Sequence, residues 1–475
     1  MSRVRLVVLA LLLMSMTACN LRSAPESVFQ ATIAPLEPTA PPYTPTPTPT
    51  ETPAATTTPT ETPTPTLSPT PEFSPTPSNT PLPSATPGLT PPTLPAAQNM
   101  PAAVADVAAD FAPTEGWSCG DFPCADDVDG FLQRIRVPAG FTLEHVGRLP
   151  GQPMQITYGP DGRLYATVLE DGTRSGAVYA MNPDGSSQRY FPGGSVADRI
   201  VSPIGLAFQP GTDVLYVSAR VTPTEDGRIW QIQSDGTATA LNIDLPCCYT
   251  IIDNQPNGLI FGADGFLYVG VGSLTDRLEP ADPRLAQNAE QHPLEAAIVR
   301  IQPHTGLVTV FASGIRNPYD LTLDSTGQMY ATDNGLVTGP GDRLLKIDAN
   351  AHYGWPFWGN RGCVDCPANL TGIQIAPDLL RFADYSLPRG VVAYTGSQFP
   401  ANYFDSLFVA LWNGTPSAQR VVRVDPRAIT DPTAYQPEPF VTGLIRPVDV
   451  AVAPDGSLVV ADFIYGHVWR VRYTG

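Results

Sequence analysis

Positive charge, histidine and long apolar runs are all scarce in this chain, and each scarcity removes a class of function. Its 27 lysines and arginines face 45 aspartates and glutamates, a formal net charge of −18. Such a balance repels a polyphosphate, so nucleic acid is excluded as a partner. The one apolar run near the start, Leu6 to Leu13, is too short to cross a bilayer as a mature helix. It follows Arg3 and Arg5 and precedes small residues and a cysteine, which is the layout of an export signal. No long stretch has apolar residues at helical spacing, so a helical bundle is excluded as well.

What is present falls into three parts. Met16-Thr17-Ala18-Cys19 resembles the bacterial lipobox, in which the cysteine becomes the lipidated first residue. Residues 1–19 therefore read as a lipoprotein signal peptide with Cys19 as the lipidation site. This places the mature chain in the cell envelope, outside the cytoplasmic membrane, touching the bilayer through its lipid alone. Residues 20–112 read as a disordered linker, because repeats such as TPTPTPT offer too few apolar side chains for a core. In polyproline geometry, at about 3.1 Å per residue, the roughly 75 Pro/Thr/Ser-rich residues from about Ala24 to Ala97 reach up to roughly 230 Å. Residues 113–475 are the folded part.

Six cysteines remain after Cys19: Cys119, Cys124, Cys247, Cys248, Cys363 and Cys366. An even count in an exported chain points to disulfides, and the spacing suggests three local pairs. For Cys247-Cys248, a staple within its own loop and two separate pairings both remain open. Cys363-Val-Asp-Cys366 precedes proline, not histidine, so it is not a haem attachment site, and it has no second close pair for zinc.

From residue 140 onward one unit recurs six times: a strand opened by proline or glycine, an Asp/Gly turn, a Leu-Tyr-Val strand and a third alternating strand. The turn-plus-strand copies are GPDGRLYATV, QPGTDVLYVS, GADGFLYVGV, DSTGQMYATD, ANYFDSLFVA and APDGSLVVAD. Period-two alternation between Gly/Asp turns is a strand signature. Six such units predict an all-β fold, a six-bladed β-propeller. The chain ends on a third strand, GHVWRVRYTG, while GFTLEHVG from Gly140 has no blade of its own. The pattern predicts that this N-terminal strand becomes the outer edge of the last blade and closes the ring.

In such a blade the segment entering the first strand emerges on one face with the loop between the second and third strands. This face gathers Gln152-Pro153, Ser202-Pro203, Gln255-Pro256-Asn257, Arg316-Asn317-Pro318, Pro388-Arg389 and Arg446-Pro447. Three arginines in an acidic protein suit a small anion, because guanidinium is a planar, permanently charged donor fork. The competing expectation is that they form structural ion pairs with Asp320, Asp333 and Asp449. Of the five histidines only His292 falls on this face, in the long loop of the third unit.

GIRNPYDLTLDSTGQMYATDNG, then HYGWP, then RPVDVAVAPDG resemble, in this order, the glucose/sorbosone dehydrogenase family over nearly all of residues 140–475. The resemblance implies a six-bladed propeller that binds pyrroloquinoline quinone (PQQ), a tricarboxylate, at the channel mouth. It implies oxidation of a sugar or related alcohol there, with calcium holding the quinone and electrons passing to an unidentified acceptor. The cofactor-binding positions become Gln152, Gln255, Arg316, Asn317, Arg389 and Arg446, and the metal positions Asp333, Gly335 and Asp342. Three departures stand against it. The family's active histidine aligns with Asn254, and an amide cannot take a proton from a hydroxyl near neutral pH. Asp253 or His292 would have to replace it, which makes Asp253, Asn254 and His292 the catalytic positions. The family's calcium-binding acidic pair aligns with Asp342-Arg343, and its quinone-binding lysine has no match near Leu411-Trp412-Asn413. Two other functions fit the same repeats: a propeller that binds a carbohydrate or anion without turnover, and a calcium-dependent lactonase built on Asp253, Asn257, Asn317 and Asp333.

Overall fold

The computed structural model describes residues 122–475, apart from 171–174, 194–199, 223–224, 249–253, 276–291, 336–340, 357–373, 414–417 and 433. The signal peptide with Cys19, the linker, Asp253 and the Cys363-Cys366 pair therefore lie outside the described residues.

The recurring turn is built the same way in four units. In the first, Gly162 takes φ 78°, the left-handed conformation that favours glycine, and the Asp161 carboxylate accepts from the Arg163 amide at 3.1 Å. The tyrosine of the following strand then donates its hydroxyl back to the turn. Tyr165 reaches Asp161 at 2.9 Å, Tyr268 reaches Asp264 at 2.8 Å and Tyr330 reaches Asp324 at 3.2 Å. An Asp/Gly turn followed by Leu-Tyr or Met-Tyr thus ties three of these hairpins to their own strands by one side-chain bond each.

These hairpins assemble into six four-stranded antiparallel units. The first is β2 (Gln152–Tyr158), β3 (Leu164–Leu169), β4 (Ser175–Met181) and β5 (Ser187–Phe191). After the short β6 (Ile200–Val201) come β7 (Leu206–Phe208), β8 (Leu215–Thr222), β9 (Glu225–Ile232) and β10 (Ala238–Ala240). The third unit is β11 (Pro256–Phe261), β12 (Leu267–Val271), β13 (Ala297–Gln302) and β14 (Leu307–Ser313). The fourth is β15 (Pro318–Leu323), β16 (Met329–Asp333), β17 (Arg343–Ile347) and β18 (Leu380–Arg381). The fifth is β19 (Pro388–Ala393), β20 (Leu407–Leu411), β21 (Arg420–Val424) and β22 (Glu438–Val441). The sixth takes β23 (Pro447–Val452), β24 (Leu458–Asp462) and β25 (His467–Tyr473) from the C-terminus and β1 (Phe141–Arg148) from the start.

β1 pairs antiparallel with β25 from Phe141↔Tyr473 to Arg148↔His467, so the first and last strands close the ring as their sequences suggested. The fold is the six-bladed propeller expected. One difference is that β6 pairs with both β4 and β8, fusing the first two blades into one nine-stranded sheet. A short α1 (Val128–Arg134) packs Phe131 on His467 and Trp469, covering the seam. The core lies between blades, in clusters such as Leu407, Val409 and Val422 packed on Tyr330 and Leu344 of the preceding blade.

The first strands meet around the channel, and one position decides how tightly. It is Gln155, Gly205, Gly258, Asp320, Gly390 and Asp449 in the six blades. The polar members fill space that the glycines leave. A Cβ on Gly390 would lie 1.8 Å from Asp449 Oδ1, and one on Gly258 would lie 2.5 Å from Asp320 Oδ1. Each carboxylate then accepts from the next blade's first strand: Asp320 from the Val391 amide at 2.8 Å, Asp449 from the Ile156 amide at 2.6 Å. Gln155 donates to the Tyr319 carbonyl at 3.2 Å. Met154, Ile204 and Tyr319 pack together just above this layer, so the channel mouth is a pit with a floor.

Candidate functional site at the channel mouth

The pit is lined by the turns entering the first strands, and their polar groups first hold one another. The Asn257 amide donates to Asn317 Oδ1 at 2.7 Å and to the Pro318 carbonyl at 3.0 Å, locking the third blade to the fourth. The Asn317 backbone amide donates to Asp333 at 2.9 Å, and Arg316 Nη1 donates to the Asn334 carbonyl at 3.3 Å. Gln255 donates to the Ser202 carbonyl at 2.8 Å and accepts from buried Arg220, so its amide holds the second blade. Gln152 begins β2 opposite Leu169, half-buried, and its side chain makes no hydrogen bond among the described residues.

The fifth and sixth blades contribute a different arrangement. The Arg389 guanidinium lies 4.4 Å from the Tyr319 ring centre and 5.1 Å from that of Trp412, and Arg446 lies 4.8 Å from the same indole. The half-buried Trp412 is therefore flanked by two cations. Neither arginine forms an ion pair among the described residues. The aspartates expected to neutralise them are used otherwise: Asp320 and Asp449 by backbone amides, Asp333 by Arg343. The Arg446 side chain makes long contacts, 3.3 Å to the Trp412 carbonyl and 3.5 Å to Asn413 Oδ1. Burial pushes its pKa below the usual arginine value, opposed by Asp462. A bound anion would relieve that cost. Burial also pushes Tyr319 up to about 12, so its hydroxyl stays neutral within the floor, donating to the Met154 carbonyl at 3.3 Å.

The positions expected to move a proton are arranged differently. Asn254 is fully buried and donates to both the carbonyl and the hydroxyl oxygen of Ser273, each at 3.0 Å. His292 stands 3.5 Å from Asp244 Oδ2, and its Nδ1 accepts from the Leu294 amide at 3.2 Å, which turns it along its own loop. The Cys247-Cys248 bond is a vicinal disulfide, buried in the segment leading to Asn254, and Cys124 is also disulfide-bonded.

At the expected metal positions, Asp333 is wholly buried and bonded by Arg343 at 2.5 Å and 3.1 Å. Asp342 accepts from the Gly335 amide at 2.8 Å and the Leu387 amide at 2.9 Å. Burial pushes both carboxyls up; the Arg343 guanidinium pulls Asp333 back. A hard cation needs several oxygens free to turn inward, and these are already bonded, with a guanidinium among them. Among the described residues no group of three or more His, Cys, Asp or Glu is placed to hold a metal. The donor set does not fit calcium. Asn317 Oδ1 accepts from the Asn257 amide and Asp333 from Arg343, so two of the four side chains a lactonase reading requires already have their oxygens bonded.

The anion site is different, because guanidinium donors and a flat aromatic face are present together; the residues fit a planar carboxylate such as PQQ. Trp412 had no role assigned from sequence beyond filling the position of a missing lysine. Its signal was an aromatic at the end of a second strand, on the mouth face. The chain has a single lysine, Lys346, and it is exposed on β17, so no lysine can serve at the mouth.

Residues 253–464 match the family model of Glucose / Sorbosone dehydrogenase. An uncharacterized protein of Borreliella burgdorferi is 24% identical over 379 residues, covering 71% of this chain and 91% of that protein. Among solved structures, a putative oxidoreductase (glucose dehydrogenase) of Thermus thermophilus aligns with a TM-score of 0.53 at 20% identity. It covers 70% of this chain and 99% of that one. The PQQ-bound aldose sugar dehydrogenase of Streptomyces coelicolor aligns with a TM-score of 0.52 at 19% identity, over 71% and 99%. The soluble aldose sugar dehydrogenase of Escherichia coli, in its apo form, gives 0.51 at 15% identity, over 70% and 99%. At such identities these structures speak for the fold.

Proposed function

We propose, from the glucose/sorbosone dehydrogenase pattern carried by residues 253–464, that this chain is an exported, PQQ-dependent oxidoreductase of sugars or related alcohols. The observation that carries the reading is the half-buried Trp412 with Arg389 and Arg446 over its ring, two guanidiniums with no ion pair among the described residues. Arg446 and Arg389 would hold carboxylates, and Trp412 would support the flat ring. Arg316 and Asn317 would present the fourth blade's edge. The chemistry such a group supplies when bound is acceptance of two electrons and two protons as a CH–OH becomes a carbonyl. The apolar floor of Met154, Ile204 and Tyr319 keeps water out beneath the reacting carbon. Asp253, the neighbour of Asn254 in sequence, is the carboxylate this reading assigns to take the hydroxyl proton.

A second reading is favoured by the buried Asn254, whose amide nitrogen is committed to Ser273: the same pit binds an anionic or carbohydrate ligand without turnover. One assay separates the two. The full chain, loaded with PQQ, is challenged with a panel of aldoses and a dye acceptor. Dye reduction that disappears in Arg316→Ala and in Asp253→Asn supports the dehydrogenase; binding with no dye reduction on any sugar leaves the ligand-binding propeller. Lipid anchoring through Cys19 completes the proposal, and mass analysis of the mature N-terminus tests it. A terminus elsewhere than Cys19 sinks the anchor.

A further inference from the structure

The fourth blade holds a permanent cation where the family resemblance leads one to expect a metal. Arg343 begins β17 with its side chain only 3% exposed, and its guanidinium reaches three separate segments of the mouth. Nη2 and Nε bond Asp333 Oδ2 at the end of β16, at 2.5 Å and 3.1 Å. Nη1 bonds Asp378 Oδ1, in the approach to β18, at 2.8 Å. The same nitrogen bonds the Tyr353 carbonyl, at the start of the Tyr353-Gly-Trp-Pro356 turn, at 2.8 Å. Two carboxylates and a backbone carbonyl around one buried positive centre is the kind of donor set a divalent ion gathers. Here a side chain gathers it.

The local charge is already balanced. Asp333, Asp342 and Asp378 supply three negative charges; Arg343, Arg316 beside Asp333 and Arg381, bonded to Asp378 at 2.5 Å, supply three positive ones. Burial pulls the Arg343 pKa down, and Asp333 and Asp378 more than offset it. A guanidinium in contact at 2.5 Å that cannot give up its proton is a permanent counter-charge to Asp333. A calcium ion would bring two further charges into a neutral, dry cluster whose oxygens are already bonded.

We propose that Arg343 is a resident cation that replaces calcium: it fastens the end of β16, the Tyr353 turn and the approach to β18, so the fourth blade's side of the mouth is shaped without a metal. The role is one of positioning, and it stands whether or not a quinone binds. It also predicts what a single substitution will do. Arg343→Glu removes the guanidinium and returns an acid to the position, leaving Asp333, Asp342, Asp378 and the new carboxylate around one vacated centre. That variant should acquire the metal dependence the natural chain has lost.

The test is thermal unfolding of the full chain in EGTA and in millimolar calcium, with calorimetric calcium titration alongside. For the natural chain the midpoint should differ by less than about 1 °C between the two conditions, and calorimetry should show no saturable site. Arg343→Glu should melt about 5 °C lower in EGTA and recover most of that loss in calcium. A saturable calcium site in the natural chain that vanishes in Asp333→Asn would overturn the proposal. So would an Arg343→Glu variant that melts alike in EGTA and calcium. If Arg343→Glu does not fold in either condition, calorimetry on the natural chain and on Asp333→Asn decides the matter.

Discussion

Replacing Asp320 by asparagine isolates a cost that the propeller carries at its centre. The side chain is buried between the first strands of three blades, accepting from the Val391 amide at 2.8 Å, with Gly258 on its other side. Among the described residues no cation offsets its burial, and it repels the Asp449 carboxylate. Burial lifts the Asp320 pKa from 3.8 to about 7, and burial and then Asp320 lift Asp449 well above its usual value. The folded state therefore binds the proton more tightly than the unfolded chain. Below about pH 4 both states are protonated and nothing is lost. As pH rises toward 7 the folded chain must keep a proton or bury a charge, and stability falls; above 7 the loss is complete. A rise of about three units amounts to roughly 4 kcal/mol, which for a domain of this size is about 5 °C in melting temperature. Asparagine keeps the acceptor for Val391 and never ionises. The melting temperatures of the natural chain and Asp320→Asn should thus draw apart between pH 4 and 7, the variant gaining, and stay apart at pH 8. A difference between the two that does not change with pH would refute the reasoning, because the carboxylate would then be neutralised by a group the structure does not place there.

Other consequences are as specific. His145 and His467 meet ring to ring at 3.0 Å across the closing seam, with Arg148 on the same strand, Asp126 beside it, and Tyr465, Trp469 and Phe131 packed around them. Burial, with the neighbouring His145 and Arg148, lowers His467 to about 4, so stability is full above pH 6.5 and is lost as pH falls toward 4. His145→Phe should melt with a shallower acid limb than the natural chain; an identical limb would count against the pair. Gly390→Ala places a Cβ 2.5 Å from the Asp449 Cα, backbone that cannot swing away. It should cost about 3 kcal/mol by urea unfolding, and an unchanged midpoint would show that the channel layer is looser than described. Trp412→Ala removes the face shared by two guanidiniums. It should weaken ligand binding at least about tenfold with little change in melting temperature, and a matched loss of both would assign the indole to the fold.

The architecture was legible because period-two alternation repeats in every blade and the Asp/Gly turn in four of them, and because an unpaired first strand and an incomplete last blade require each other. The closing register, His145 opposite Trp469, was not read from those segments and comes from the structure. The fused sheet of the first two blades was not legible, since β6 is two residues long and falls between motifs. The mouth was legible as a place and less so in its bonding. Arg316, Arg389 and Arg446 look alike in sequence, yet only position in the ring sets Arg389 and Arg446 on either side of Trp412. Arg343 stood out as a departure from a family pattern; its partner Asp378, 35 residues along, had no sequence signal at all. Long-range pairing across a blade is set by the fold, and a motif cannot report it.

The most direct measurement is equilibrium titration of the full chain with PQQ in EGTA, followed by quenching of tryptophan fluorescence and by the absorbance of bound quinone. Micromolar or tighter binding, weakened at least about tenfold in Arg446→Ala and in Arg389→Ala, is the predicted result. No binding at saturating quinone, with or without calcium, would contradict the account and leave the arginine-flanked indole to a different anion.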